Sequence, residues 1–162
     1  MEDANTNGFV SIEEFEKFLD EYCKDGILPK IESDGLVNVI LNLRHEDFLA
    51  LSPDEASSYA FKLHSHCIFM RQSLDQHRSR AMWCEEILHR TVSKAWSSFP
   101  DFMKYEVRRQ GAITQDTFAT KVEKVRLYTY TVIHQLENKI LHIKQMADNL
   151  ENFARRKSYE HR

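Results

Sequence analysis

The hydrophobic positions of the chain fall into two long stripes. Between residues 53 and 98, Ala60, Leu63, Cys67, Met70, Leu74, His77, Ala81, Cys84, Leu88, Thr91 and Ala95 recur at alternating steps of three and four. That is the register of a helix burying one seam against another helix. Trp83, Ile87, Val92 and Trp96 widen the seam into a broader apolar face, which asks for more cover than one partner helix gives. The start of the element is equally legible, because Ser52 as N-cap, Pro53 at the first helical position and Glu55 three residues after the cap form a capping box. With no Gly or Pro after Pro53 until Pro100, the uninterrupted stretch would extend roughly 69 Å at ~1.5 Å per residue.

Ser98-Phe99-Pro100-Asp101 breaks the pattern, and the stretch FMKYEVRRQGAITQDTF resumes it, with Gly111 as the expected weak point. A second stripe then runs through Phe118, Val122, Val125, Thr129, Val132, Leu136, Ile140, Ile143, Ala147, Leu150 and Ala154. Its extra four-residue step from Leu136 to Ile140 is a stutter that relaxes supercoiling without ending a helix. Two long helices joined through a Pro-containing turn predict an antiparallel hairpin, and the final RRKSYEHR is expected to fray.

Ahead of the hairpin, Ile12, Phe15, Phe18, Leu19 and Tyr22 predict a helix of roughly three turns, stopped by Asp25-Gly26. The run LVNVILNL, Leu36–Leu43, is read as a helix because no second strand candidate exists for it to pair with. The expected fold is therefore all-α. A long, coiled-coil-like antiparallel helical hairpin occupies residues 53–162, and a small helical segment occupies residues 1–52.

Charge divides at the same place. Residues 1–52 hold 12 Asp/Glu against 4 Lys/Arg, and residues 53–162 hold 13 against 18, which together give the net charge of -3. An acidic head on a basic body suits a cation at one end and an anionic partner at the other, or docking of one part on the other. With 4 Gly and 3 Pro, the composition is that of a helix-dominated chain. Cys23, Cys67 and Cys84 show no C-x-x-C spacing, so reduced thiols are expected. No apolar run is long enough to span a bilayer, and the first residues lack the features of a signal peptide. A cytoplasmic protein without a membrane partner is expected.

Enzymatic signatures are missing. No G-x-S-x-G, P-loop, Rossmann glycine pattern or H-E-x-x-H occurs, and Gly is too scarce for a phosphate cradle. Neither catalysis nor a small-molecule substrate is expected. Glu86 and His89 have the Glu-x-x-His spacing of di-iron bundles, but a partner motif is lacking. His64 and Cys67 share a helix face without further ligands, and His77 on the seam reads as a polar, register-setting residue.

The basic residues carry more. Arg71, Arg78 and Arg80 lie on the first long helix, and Lys104, Arg108, Arg109, Lys121, Lys124 and Arg126 on the second arm, with Tyr105, Tyr128 and Tyr130 among the latter. Cations tracking a phosphate backbone beside stacking aromatics are how sequence-tolerant single-strand binders work. The alternative is a solvated helix face neutralised by Glu106 and Glu123.

The opening DANTNGFVSIEEF resembles the loop of an EF-hand. The resemblance implies calcium as a cofactor, ligated by Asp3, Asn5, Asn7, the carbonyl of Phe9, Ser11 and Glu14, with Gly8 at the sharp turn. Val10 falls at the apolar position that pairs neighbouring loops. The alternative is an Asx-rich N-cap on a helix beginning near Ser11.

Residues 53–157 are also similar, in the order of capped helix, central basic segment and long amphipathic C-terminal helix, to the small UvsY-type phage recombination mediators. That similarity implies a helical, oligomeric, non-enzymatic protein that binds single-stranded DNA and helps load a recombinase. Homo-oligomerisation is expected independently, since two helices cannot cover stripes widened by Trp83, Trp96 and Phe118. Three functions are therefore expected as candidates: a nucleic-acid accessory protein, a calcium-responsive adaptor, or a structural assembly subunit.

Overall fold

The computed structural model describes residues 35–160 together with Ser11, Glu13, Glu14, Lys17 and Glu21. Helices α1 (Leu36–Leu41) and α2 (His45–Ala50) precede α3 (Pro53–Ala95), which closes in a 3-10 turn, Trp96–Ser98; α4 (Tyr105–Gln115) and α5 (Thr117–Glu160) follow. No strand occurs among the described residues, so the all-α helical hairpin stands, and LVNVILNL is helical. Of the first predicted helix, Glu13, Glu14, Lys17 and Glu21 are helical; its remaining residues and Cys23 lie outside the described residues.

The capping box at α3 is complete. The Ser52 hydroxyl accepts the Glu55 N–H at 3.2 Å while the Glu55 carboxylate accepts the Ser52 N–H at 2.8 Å. Two of the donors that a helix start leaves without partners are thereby satisfied.

The described residues form two compact units. The first takes residues 75–133 and the described N-terminal positions; the second takes residues 35–74 and 134–160. In the first unit, Cys84, Ile87, Leu88 and Val92 of α3 bury themselves with Ala112 and Ile113 of α4 and Ala119 and Val122 of α5. Trp83, Phe99, Phe118 and Val125 pack around this core. The cover that the widened face demanded is supplied here by α4.

Helix α4 also corrects the expected connection, since an eleven-residue helix stands between the two long ones. The break falls at Asp116, not at Gly111. Asp116 has ψ 114, and its Oδ1 accepts the N–H groups of Phe118 and Ala119 at 2.8 and 3.0 Å, so it ends α4 and caps α5 at once. Gly111 sits inside α4 for a packing reason: a Cβ there would lie 2.7 Å from Cε1 of Phe99.

In the second unit, Cys67 donates to the Ile140 carbonyl at 3.8 Å, and His64 Nε2 lies 3.8 and 3.6 Å from Asp148 and Glu151. Falling numbers on α3 meet rising numbers on α5, which is antiparallel pairing. The buried positions are small or aliphatic, with Ala56, Ala60, Leu63 and Leu74 on α3 and Ile143, Ala147, Leu150 and Ala154 on α5. Helices α1 and α2 belong to this unit. Phe48 of α2 packs tilted against Phe153, ring centres 4.8 Å apart, and Lys157 donates to the carbonyls of Leu49 and Leu51 at 3.0 and 2.7 Å. This tether holds a stretch predicted to fray, and α5 continues to Glu160.

The stripe of α5 differs from its prediction at one step. Thr129 and Ile133 are buried whereas Val132 is half-buried, so the extra four-residue step falls between Thr129 and Ile133. Thr129 tolerates burial because its hydroxyl donates to the Val125 carbonyl at 2.7 Å.

Candidate functional site

The nine basic side chains do not form one patch. Arg108 is only 5% exposed: its Nε donates to the Met103 carbonyl at 3.0 Å and its guanidinium lies 4.7 Å above the Trp96 ring. Asp101 stands 3.8 Å away. Arg126 makes a forked contact with Glu123, 2.7 and 3.0 Å, and reaches Glu85 on α3 at 3.5 Å. Arg109 of α4 joins the same Glu123 at 3.4 Å. Glu85 in turn accepts the Tyr130 hydroxyl at 2.8 Å. The network ties α3, α4 and α5 together, and it uses two of the predicted binding arginines and one of the tyrosines to do so.

The electrostatics follow from that geometry. Hydrogen bonding from Arg126 holds the Glu123 carboxyl below the usual carboxylate range, and Glu85 raises the Tyr130 phenol above its ordinary value. Arg78 lies 3.5 Å from Asp75 on its own helix, Arg80 is half-buried, and Arg71, Lys104, Lys121 and Lys124 are exposed. Glu13 is held below its usual value by its own backbone and the Ser11 hydroxyl, and more weakly by the Lys121 ammonium.

Apolar side chains occupy the surface around the α3–α4 connection. The Trp96 and Tyr105 rings are 5.8 Å apart, and Phe102 in the intervening turn is 90% exposed. Tyr105 and Val107 are also exposed. The 3-10 turn and the Met103 N–H bond to the Pro100 carbonyl, 3.1 Å, shape this connection. The Arg108 guanidinium covers one face of the indole.

No family model, curated protein or solved structure matches this chain.

The calcium loop assigned to Asp3, Asn5, Asn7, Phe9, Ser11 and Glu14 lies mostly outside the described residues. At its end, the Ser11 hydroxyl accepts the Glu14 N–H at 3.2 Å, a helix N-cap bond. Elsewhere, Glu86 pairs with Arg90 at 2.7 Å and His89 is exposed. No cluster of three or more His, Cys, Asp or Glu suited to a metal occurs among the described residues. Burial, with a smaller effect of Arg80, holds the His77 imidazole below its ordinary pKa. Cys67 and Cys84 are buried free thiols, and burial pushes Cys84 up to about 11, far from the thiolate that reactivity requires. No described helix is long and apolar enough to cross a membrane.

Sequence reasoning overlooked two features. Lys157 is a tether, which nothing near it in sequence signals. A groove between Phe61 and Tyr159 in the second unit was also missed, although both side chains fall off the apolar stripes, and a large aromatic on the polar face of an amphipathic helix was the available sign.

Proposed function

We propose that this chain is a non-enzymatic, self-associating helical interaction protein of the cytoplasm, an assembly or adaptor subunit. One observation carries the reading. Arg108, Arg109 and Arg126 hold the helices of their own unit together, while Phe102, Tyr105 and Val107 stand at the surface. Charges engaged within the fold neutralise no phosphates, whereas exposed aromatics are the anchors around which protein interfaces form.

A second reading, a single-stranded DNA accessory protein of the recombination-mediator kind, draws on the exposed Lys104, Lys121 and Lys124 with Tyr105 and Tyr128 nearby in sequence. A calcium-responsive adaptor is the third. Mass measurement in solution, with and without a single-stranded oligonucleotide and calcium at two salt concentrations, separates them. An assembly subunit keeps a fixed mass throughout. Oligonucleotide retention that falls steeply with salt would move the assignment to the second reading, and a calcium response abolished by Glu14→Ala would move it to the third.

A further inference from the structure

The second unit carries a groove of about 440 Å³ between the first turns of α3 and the last turns of α5. Its floor includes the buried Ala154, and its rims are Phe61 and Tyr159, which are 73% and 75% exposed. Small or polar side chains, among them Ser57 and His64, complete the lining. Two large aromatics flanking a shallow floor of small side chains have the form of an anchor-and-pocket surface.

The charges choose the occupant. Glu151, with His64 Nε2 3.6 Å away, makes one end of the groove acidic, and Arg155 makes the next turn basic. A surface bearing both signs in sequence along one helix is complementary to itself reversed. A two-fold operator does that reversal, setting residue i of one copy against residue j of the other and j against i.

We propose that this groove is the self-association face of the protein, on which two copies pack antiparallel along the end of α5. Glu151 of each copy lies opposite Arg155 of the other, and Phe61 and Tyr159 are buried between them. The inference rests on the self-association put forward above and names its surface. Within one chain, Glu151 and Arg155 form an exposed i,i+4 pair at 3.5 Å, which contributes little to the fold. Either can be reversed without unfolding the helix.

The test is sedimentation or light-scattering mass of the full chain and of two charge reversals, E151R and R155E, with circular dichroism to check helicity. Each reversal alone sets like charges opposite each other twice. The mass should fall toward half, that of one copy, and the concentration for half-association should rise by at least about tenfold. An equimolar mixture of the two variants should regain the parent mass, because every contact then joins opposite charges. A monomeric parent overturns both this proposal and the self-association behind it. A parent assembly that neither reversal disturbs overturns the groove alone, and so does a mixture that stays dissociated while both variants remain helical.

Discussion

Replacing Lys157 by Met should loosen α2 from the end of α5. The ammonium donates to the Leu51 carbonyl at 2.7 Å and to the Leu49 carbonyl at 3.0 Å, and it lies 5.1 Å from the centre of the Phe153 ring. A hydrogen bond involving a charged group contributes about 1.5–3 kcal/mol. The two bonds are unequal, however. Leu49 is exposed, so water can replace the ammonium on its carbonyl, whereas Leu51 is buried and its carbonyl would lose its partner in a drier place. Methionine retains the aliphatic stem over Phe153, and the cation–π contribution lost is ~0.5–1 kcal/mol at such an exposed site. The expected loss is about 2 kcal/mol. If the second unit melts with the rest of the chain, the melting temperature falls by roughly 4–8 °C. If α2 releases first, hydrogen exchange of the amides at residues 48–51 accelerates instead, by roughly thirtyfold for 2 kcal/mol of local stability. A variant with unchanged melting and unchanged exchange at α2 would refute the tether.

Gly111→Ala should destabilise the first unit despite the better helix propensity of Ala, ~1 kcal/mol, because the new Cβ meets the Phe99 ring at 2.7 Å and overpacking costs about 1–3 kcal/mol. A net loss of about 1 kcal/mol that Phe99→Leu relieves in a double-mutant cycle is expected, and a variant more stable than the parent would contradict the contact. Glu123 gives the acid response. Arg126 holds its folded pKa below the unfolded one, so its stabilisation is complete above ~4.3 and is lost as pH falls through the lower folded value. Urea midpoints should therefore fall more steeply below about pH 5 in the parent than in Glu123→Gln, and equal slopes would remove Glu123 from the acid response.

Periodicity reads well wherever a residue's burial follows from its own helix. Ala60, Leu63, Cys67 and Leu74 on α3 and Ile140 to Ala154 on α5 are buried as spaced, and the Ser52–Glu55 cap is local by nature. What escaped the sequence depends on partners far along the chain. Gly111 looked like a break because Gly weakens helices, but its position is set by a ring twelve residues earlier. Asp116 ended α4 instead, with the cap geometry that Asp favours. Lys157 meets backbone carbonyls 106 and 108 residues away, a distance over which no helical repeat carries information. The basic residues failed to assemble for the same reason: Glu85, Glu123 and Tyr130 converge on Arg126 and Arg109 only once three helices are in place.

That convergence bears on how interaction surfaces arise in a helical hairpin. A seam wide enough to need a third helix obtains it in the first unit from α4, and the charges that would otherwise have faced solvent become the ties between the three helices. The second unit is built differently. Its α3 and α5 bury Ala, Cys, Leu and Ile side chains along the seam, α2 is held by Phe153 and Lys157, and Phe61 and Tyr159 stand off the seam and stay exposed. The aromatic edge around Phe102 and the groove beside Tyr159 share no residue and belong to different units. On the proposed function, self-association through one surface and partner binding through the other would need no conformational coupling between them, and oligomer formation would raise the effective concentration of the partner-binding edges.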